Sequence, residues 1–138
     1  MIKVFLDTNV FLDLFLNREK FADAAEVILS WCQEGKIEGH TSGTNIANIY
    51  YLVNQQKTKA EAKKIVRKLL EFIWILATTR KDLLLAVESD FIDFEDAIQY
   101  YSALNIDGLN FIITRNKKDY KASTVTVVTS EEFVKLHT

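Results

Sequence analysis

Two short runs, IKVFL at residues 2–6 and LNFII at residues 109–113, carry apolar side chains with no helical spacing and too few positions for a helix. Runs of this kind form strands covered on both faces, as in parallel sheets with helices above and below. Helical patterns fill the space between them. Residues 9–16 and 20–33 form two, the second with Phe21, Ala24 or Ala25, Ile28 and Trp31 on one stripe and Gly35 placed to end it. A short strand near 37–41 ends at Thr41-Ser42, which can cap a helix running to about Asn54. Residues 59–70 are helical with Ala62, Ile65, Val66 and Leu69 inward, and FIWIL at 72–76 is a strand candidate. Helices over 81–89 and 93–104, a strand over 124–128 and a helix over 130–136 complete the pattern. Strands joined by helical crossovers predict an α/β fold, a three-layer α/β/α sandwich. Its central parallel sheet should have four or five strands, with residues 2–6 in the middle and 109–113 beside them.

At 138 residues the chain makes one domain, 1–138, with enough length to bury a core. Its longest apolar stretches, such as LLEFIWILA, are too short to span a bilayer, so no membrane partner is expected. IKVFL is a strand pattern rather than a signal peptide. The lone Cys32 cannot form an internal disulfide and suits a packed position in a cytoplasmic protein. A net charge of -2 does not by itself advertise a nucleic-acid partner, but the average hides patches. Lys57, Lys59, Lys63, Lys64, Arg67 and Lys68 gather against a single Glu61, and Arg115, Lys117, Lys118 and Lys121 form a second group. These are solvated helix faces or phosphate contacts. His40 and His137 have no Cys or His partner at zinc spacing and take surface or edge roles.

Polar residues stand where the apolar runs end. Asp7, Thr8 and Asn9 follow the first run, and Thr114, Arg115 and Asn116 follow the later one. Asp93 and Asp96 open the helical pattern just upstream. If the two strands are neighbours, these groups converge on one crevice at the carboxyl ends of the strands, where ligands bind in such sheets. Converging carboxylates repel unless something positive sits between them, which suggests a hard divalent cation. Each acid also has a plainer use. Asp7 can be a helix N-cap, although Thr8 can serve equally well, and Asp96 can be the capping-box partner of Asp93. Asn116 and Asp119 can likewise cap a turn.

The segments MIKVFLDTNVFLDLFLNRE, DFEDAIQYYSA and FIITRNKKDY, in this order and spacing, resemble a PIN-domain protein across essentially the whole chain. That family includes metal-dependent nucleases, among them the VapC-type toxins of bacterial toxin–antitoxin pairs. The resemblance implies one or two Mg2+ or Mn2+ ions, hydrolysis of RNA, an antitoxin protein as a possible partner, and a homodimer. It makes Asp7, Asp96 and Asp119 the catalytic acids, with Asp7, Asp96, Asn116 and Asp119 holding metal. Thr8, Asn9, Asn48, Asp93 and Thr114 would support the site, and Arg115, Lys63 and Arg67 would meet the RNA backbone.

The chain departs from the family pattern at two positions. Asn116 stands where many members carry an acid, and Asn48 where they present a glutamate after the second strand. No acid occurs between Glu38 and Glu61, and Asn45 and Asn48, one helical turn apart, are expected to point together into the crevice. A neutral amide weakens metal affinity and removes a group that could activate water. Two functions therefore follow from the sequence: a metal-dependent endoribonuclease, or a catalytically weakened PIN-like module that binds RNA or protein. The helices over 9–16 and 43–54 carry more apolar residues than one buried stripe requires, which predicts a two-fold dimer through them.

Overall fold

The apolar run IKVFL forms β1 (Lys3–Leu6) at the centre of a five-stranded sheet. In the computed structural model, which describes residues 1–138, the other strands are β2 (Glu38–Ser42), β3 (Trp74–Leu76), β4 (Phe111–Ile113) and β5 (Thr126–Val128). The order is β3-β2-β1-β4-β5 and every pairing is parallel. Leu6 is in register with Ile113, so the chain leaves β1 and β4 side by side, at Asp7 and Thr114. The Asp7 N–H still donates to the Ile113 carbonyl at 3.1 Å.

Side chains of the strands alternate between two cores, as a sheet covered on both faces requires. Val4, Leu6, Ile113 and Val128 enter the larger cluster, and Phe5 and Ile112 the smaller. The larger is closed by α1 (Thr8–Phe15), α2 (Ala22–Gln33), α3 (Gly43–Gln56), α4 (Lys59–Leu69) and α7 (Ser130–Leu136). The smaller is closed by α6 (Phe94–Ala103) with Tyr120 from a 3-10 turn (Lys117–Tyr120), and α5 (Arg80–Glu88) packs on α6. The result is the three-layer α/β/α sandwich. Phe5, Phe11 and Phe133 are fully buried, each contributing roughly 1.5–3 kcal/mol from burial.

The caps follow the sequence. Ser42 accepts from the Asn45 N–H and starts α3, and Gly35 adopts a positive φ after α2. Gly39 on β2 is required for a different reason. A Cβ there would lie 2.6 Å from the Cys32 sulfur of α2, so the glycine lets helix and strand approach. Cys32 is buried, and burial pushes its thiol up to about 12, in line with an inert packing role.

Two expectations change. The apolar residues of α1 and α3 are not in excess: Phe11, Leu12, Ile49 and Val53 are buried, and Leu14, Phe15, Leu16, Ile46, Tyr50 and Leu52 pack against the larger core. Both helices are overlain by others, α1 by α2 and α3 by α4. The exposed apolar side chains lie elsewhere, including Trp74 and Ile75 on the edge strand β3, Leu84 and Val87 on α5, and Ile92 and Phe94. His40 is buried inside β2, its Nε2 2.8 Å from Glu38 and its ring stacked on Trp74, rather than at the surface. No helix is long and apolar enough to cross a membrane.

Candidate metal centre

Asp7 ends β1 and is itself the N-cap of α1; its Oδ1 accepts from the Thr8 N–H at 2.7 Å. Its Oδ2 accepts from the Thr114 hydroxyl at 2.8 Å, across the register that joins β1 to β4. Thr8 is therefore the first residue of the helix rather than its cap, and its hydroxyl is buried without a partner. The cap falls to Asp7 because its position leaves the strand in extended backbone, which an N-cap requires. Burial raises the Asp7 pKa. The hydrogen bonds from Thr114 and Thr8, the Gln99 side chain and the Arg115 charge oppose the rise without cancelling it.

Asp96 reaches the same crevice from α6. Asp93 is the N-cap of that helix and accepts from the Asp96 N–H at 3.1 Å, but the return bond of a capping box is not formed. The Asp96 carboxylate accepts no hydrogen bond and meets no cation, although the residue is only 8% exposed. Burial first, then the charges of Asp93, Asp7, Asp119 and Glu95, push it up to about 7. An acid held in this way lacks the positive partner that its surroundings call for.

The crevice, about 280 Å³, is lined by Asp7, Thr8, Asn9, Leu12, Arg18 and Asn48, and across from them by Leu52, Asp93, Glu95, Asp96, Gln99 and Asn116. Asn48 donates to Glu95 Oε1 at 3.1 Å. Asn45 does not point in with it. It is fully buried, donating to Thr41 Oγ1 and Gln99 Oε1 at 3.0 Å each, which ties α3 to β2 and α6. Asn9 lies in α1 and accepts from Arg18 at 2.8 Å. Asn116 sits at the start of the 3-10 turn without a side-chain cap bond, its N–H bound to Thr114 Oγ1 at 3.1 Å.

The remaining sequence candidates lie outside this lining. Asp119 lines an adjacent hollow with Asp90, Phe91 and Lys121, yet its charge reaches Asp96. Arg115 pairs with Asp13 at 3.1 Å and stacks over Phe21 at 4.3 Å. Lys63 and Arg67 are exposed on α4. Four residues of importance were not singled out by sequence reasoning. Glu95 and Gln99 share the helix of Asp96, at offsets of one and three residues. Arg18 is the one cation lining the crevice, and it is committed to Asn9 and Asp13. Tyr120 is buried with its hydroxyl unpartnered; burial, then the charges of Asp7, Asp96, Asp119 and Asp93, disfavour its ionisation.

The donor set fits a hard divalent cation: carboxylate, amide and hydroxyl oxygens, with neither thiol nor imidazole in the lining. As the side chains stand, no three acids are close enough together to enclose one ion.

Similarity to known proteins agrees with the geometry. The profile of the PIN domain matches residues 3–118. The chain is 29% identical over 139 residues to "Ribonuclease VapC1" of Aquifex aeolicus, covering 95% of this chain and 92% of that protein. Among solved structures, VapBC2 of Rickettsia felis bound to a DNA fragment from its promoter superimposes with a TM-score of 0.67 at 17% identity, covering 92% of this chain and 97% of that one. VapC20 of Mycobacterium tuberculosis, a sarcin-ricin loop cleaving toxin, gives 0.68 at 15% identity, covering 88% and 96%.

Proposed function

The chain belongs to the PIN-domain family, and from that premise we propose that it is a metal-dependent endoribonuclease, the toxin of a toxin–antitoxin pair. One observation carries the reading: Asp7, after β1, and Asp96, on α6, line one crevice, and Asp96 is buried with neither cation nor hydrogen bond. Uncompensated burial of a carboxylate is costly, and a hard cation such as Mg2+ or Mn2+ would remove the cost.

Asp7 and Asp96 would hold the ion, with Asp119 and the Asn116 amide oxygen as further donors. When bound, the ion supplies Lewis acidity at the scissile phosphate and a more acidic water. Thr114 and the Thr8 N–H fix the Asp7 carboxylate, so its oxygens stay aimed as charge develops. Gln99, itself braced by Asn45, supports Asp7 from the side. Lys63, Arg67 and Arg115 would meet the RNA backbone without reading sequence. The relatives include toxin–antitoxin complexes, which supports an antitoxin as partner. The single buried thiol suits a reducing cytoplasm.

Incubation of purified protein and Mn2+ with labelled single-stranded RNA tests the activity. Cleavage should appear and should be lost in Asp7→Asn and Asp96→Asn. RNA left intact by the wild type at every Mn2+ concentration would transfer the protein to the binding-module reading. A homodimer remains part of the proposal, through exposed apolar residues of α5 (Leu84, Val87), of the segment before α6 (Ile92) and of the start of α6 (Phe94). Light scattering at micromolar concentration should give twice the chain mass, and Val87→Glu with Ile92→Glu should give a monomer. A monomeric wild type contradicts it.

A further inference from the structure

Position 48 is where the resemblance asks for an acid and the chain supplies an amide. The opposite wall of the crevice answers the deficit. Glu95 is the second residue of α6, immediately before Asp96, and its carboxylate reaches across to Asn48, whose Nδ2 donates to Oε1 at 3.1 Å. Both residues line the crevice with Asp7 and Asp96. We propose that Glu95 supplies, from α6, the carboxylate that α3 lacks, with Asn48 as the residue that positions it.

The chemistry of the pair explains why an amide belongs at 48 when a glutamate stands at 95. Two glutamates facing each other there would repel. An asparagine offers an N–H to one oxygen of Glu95 and leaves the second oxygen's lone pairs uncommitted. The charge of the site is then restored from a different helix, by the residue next to Asp96. Asp96 provides the independent sign that this cluster awaits a cation: it is nine-tenths buried, faces the same space and accepts no hydrogen bond. Glu95 also lies in the first turn of α6, where any acid favours the helix dipole. That role needs no partner across the crevice and does not involve Asn48.

The inference rests on the metal-site reading, and the test separates the two. Mn2+ is titrated calorimetrically into metal-free wild type, Glu95→Gln, Asp96→Asn and the double variant Glu95→Gln/Asn48→Glu. Glu95 is exposed, so its substitution leaves the fold intact, which circular dichroism verifies. Glu95→Gln should weaken Mn2+ binding by about 10–100-fold, the range seen when the surroundings of a metal site are altered. Moving the charge back to α3 in the double variant should recover most of the loss, which a dipole role cannot do. If Glu95→Gln binds Mn2+ as the wild type does while Asp96→Asn does not, this inference is overturned and the metal site stands. If the wild type takes up no Mn2+, both fall.

Discussion

Asp13 on α1 and Asp96 on α6 are both buried aspartates, and their surroundings are opposite. Asp13 is 1% exposed and meets two guanidiniums, Arg115 at 3.1 Å and Arg18 at 3.4 Å. Burial raises its pKa, but the nearest charges, those of Arg115 and Arg18, pull it back. Around Asp96 the leading charges act in the same direction as burial, because its neighbours are acids. One acid is compensated from within the chain and ties α1 to the loops after it and after β4. The other is left for compensation from outside. The contrast separates a carboxylate paired with cations of its own chain from one whose leading charged neighbours are all acids.

The comparison can be broken by pH. The Asp96 carboxyl is held at about 7 in the folded state against an ordinary value of 3.8. The folded protein therefore keeps its proton over a window in which the unfolded chain has lost it. Stability of the metal-free protein should fall as pH rises from about 4 to 7, by up to about 4 kcal/mol from this group, and then level off. Asp96→Asn should flatten the profile. Chemical denaturation at successive pH values measures it, and an unchanged slope in the variant would place the strain elsewhere.

Substitution at the compensated acid should act with the opposite sign. Asp13→Asn strands two arginines and should cost about 2–3 kcal/mol, below the 3–5 typical of a fully buried pair because both guanidiniums reach water. Asp96→Asn should cost nothing, or stabilise, in the absence of metal at pH 8. Equal losses in the two variants would erase the distinction. Mn2+ sharpens it further: at a hundredfold excess over Kd it should stabilise the wild type by about 2.7 kcal/mol. Asp13→Asn should retain that gain, and Asp7→Asn and Asp96→Asn should lose most of it in thermal melts.

The sheet was legible because β1 and β4 are apolar on both faces, so the two-sided burial is written directly into IKVFL and LNFII. Asp7 and Asp96 could be placed at the crevice from sequence, and Thr114 beside Asp7, because each follows a strand or opens a helix at a predictable end of the sheet. Glu95, Gln99 and Arg18 could not. Their entry depends on the rotation of α6 about its axis and on how the chain turns after α1, and periodicity gives neither. Counting apolar residues on α1 and α3 misled the dimer argument for a related reason. A helix that lies under a second helix needs two apolar faces, and the sequence shows the faces without showing the cover. The exposure of Trp74 on β3 is the converse case, an apolar run left half open because it ends the sheet.

The contact between Cys32 and Gly39 gives the molecule an internal clock. With a single thiol, 4% exposed and held up to about 12, an added aromatic disulfide at neutral pH finds almost no thiolate to react with in the closed protein. Reaction waits until α2 lifts from β2, because the sulfur lies directly over the glycine. The labelling rate therefore counts openings of that helix–strand unit, one absorbance signal per molecule. Followed with and without an added ion, that rate would show how far events at the carboxyl end of β1 travel through the sheet to the strand beside it.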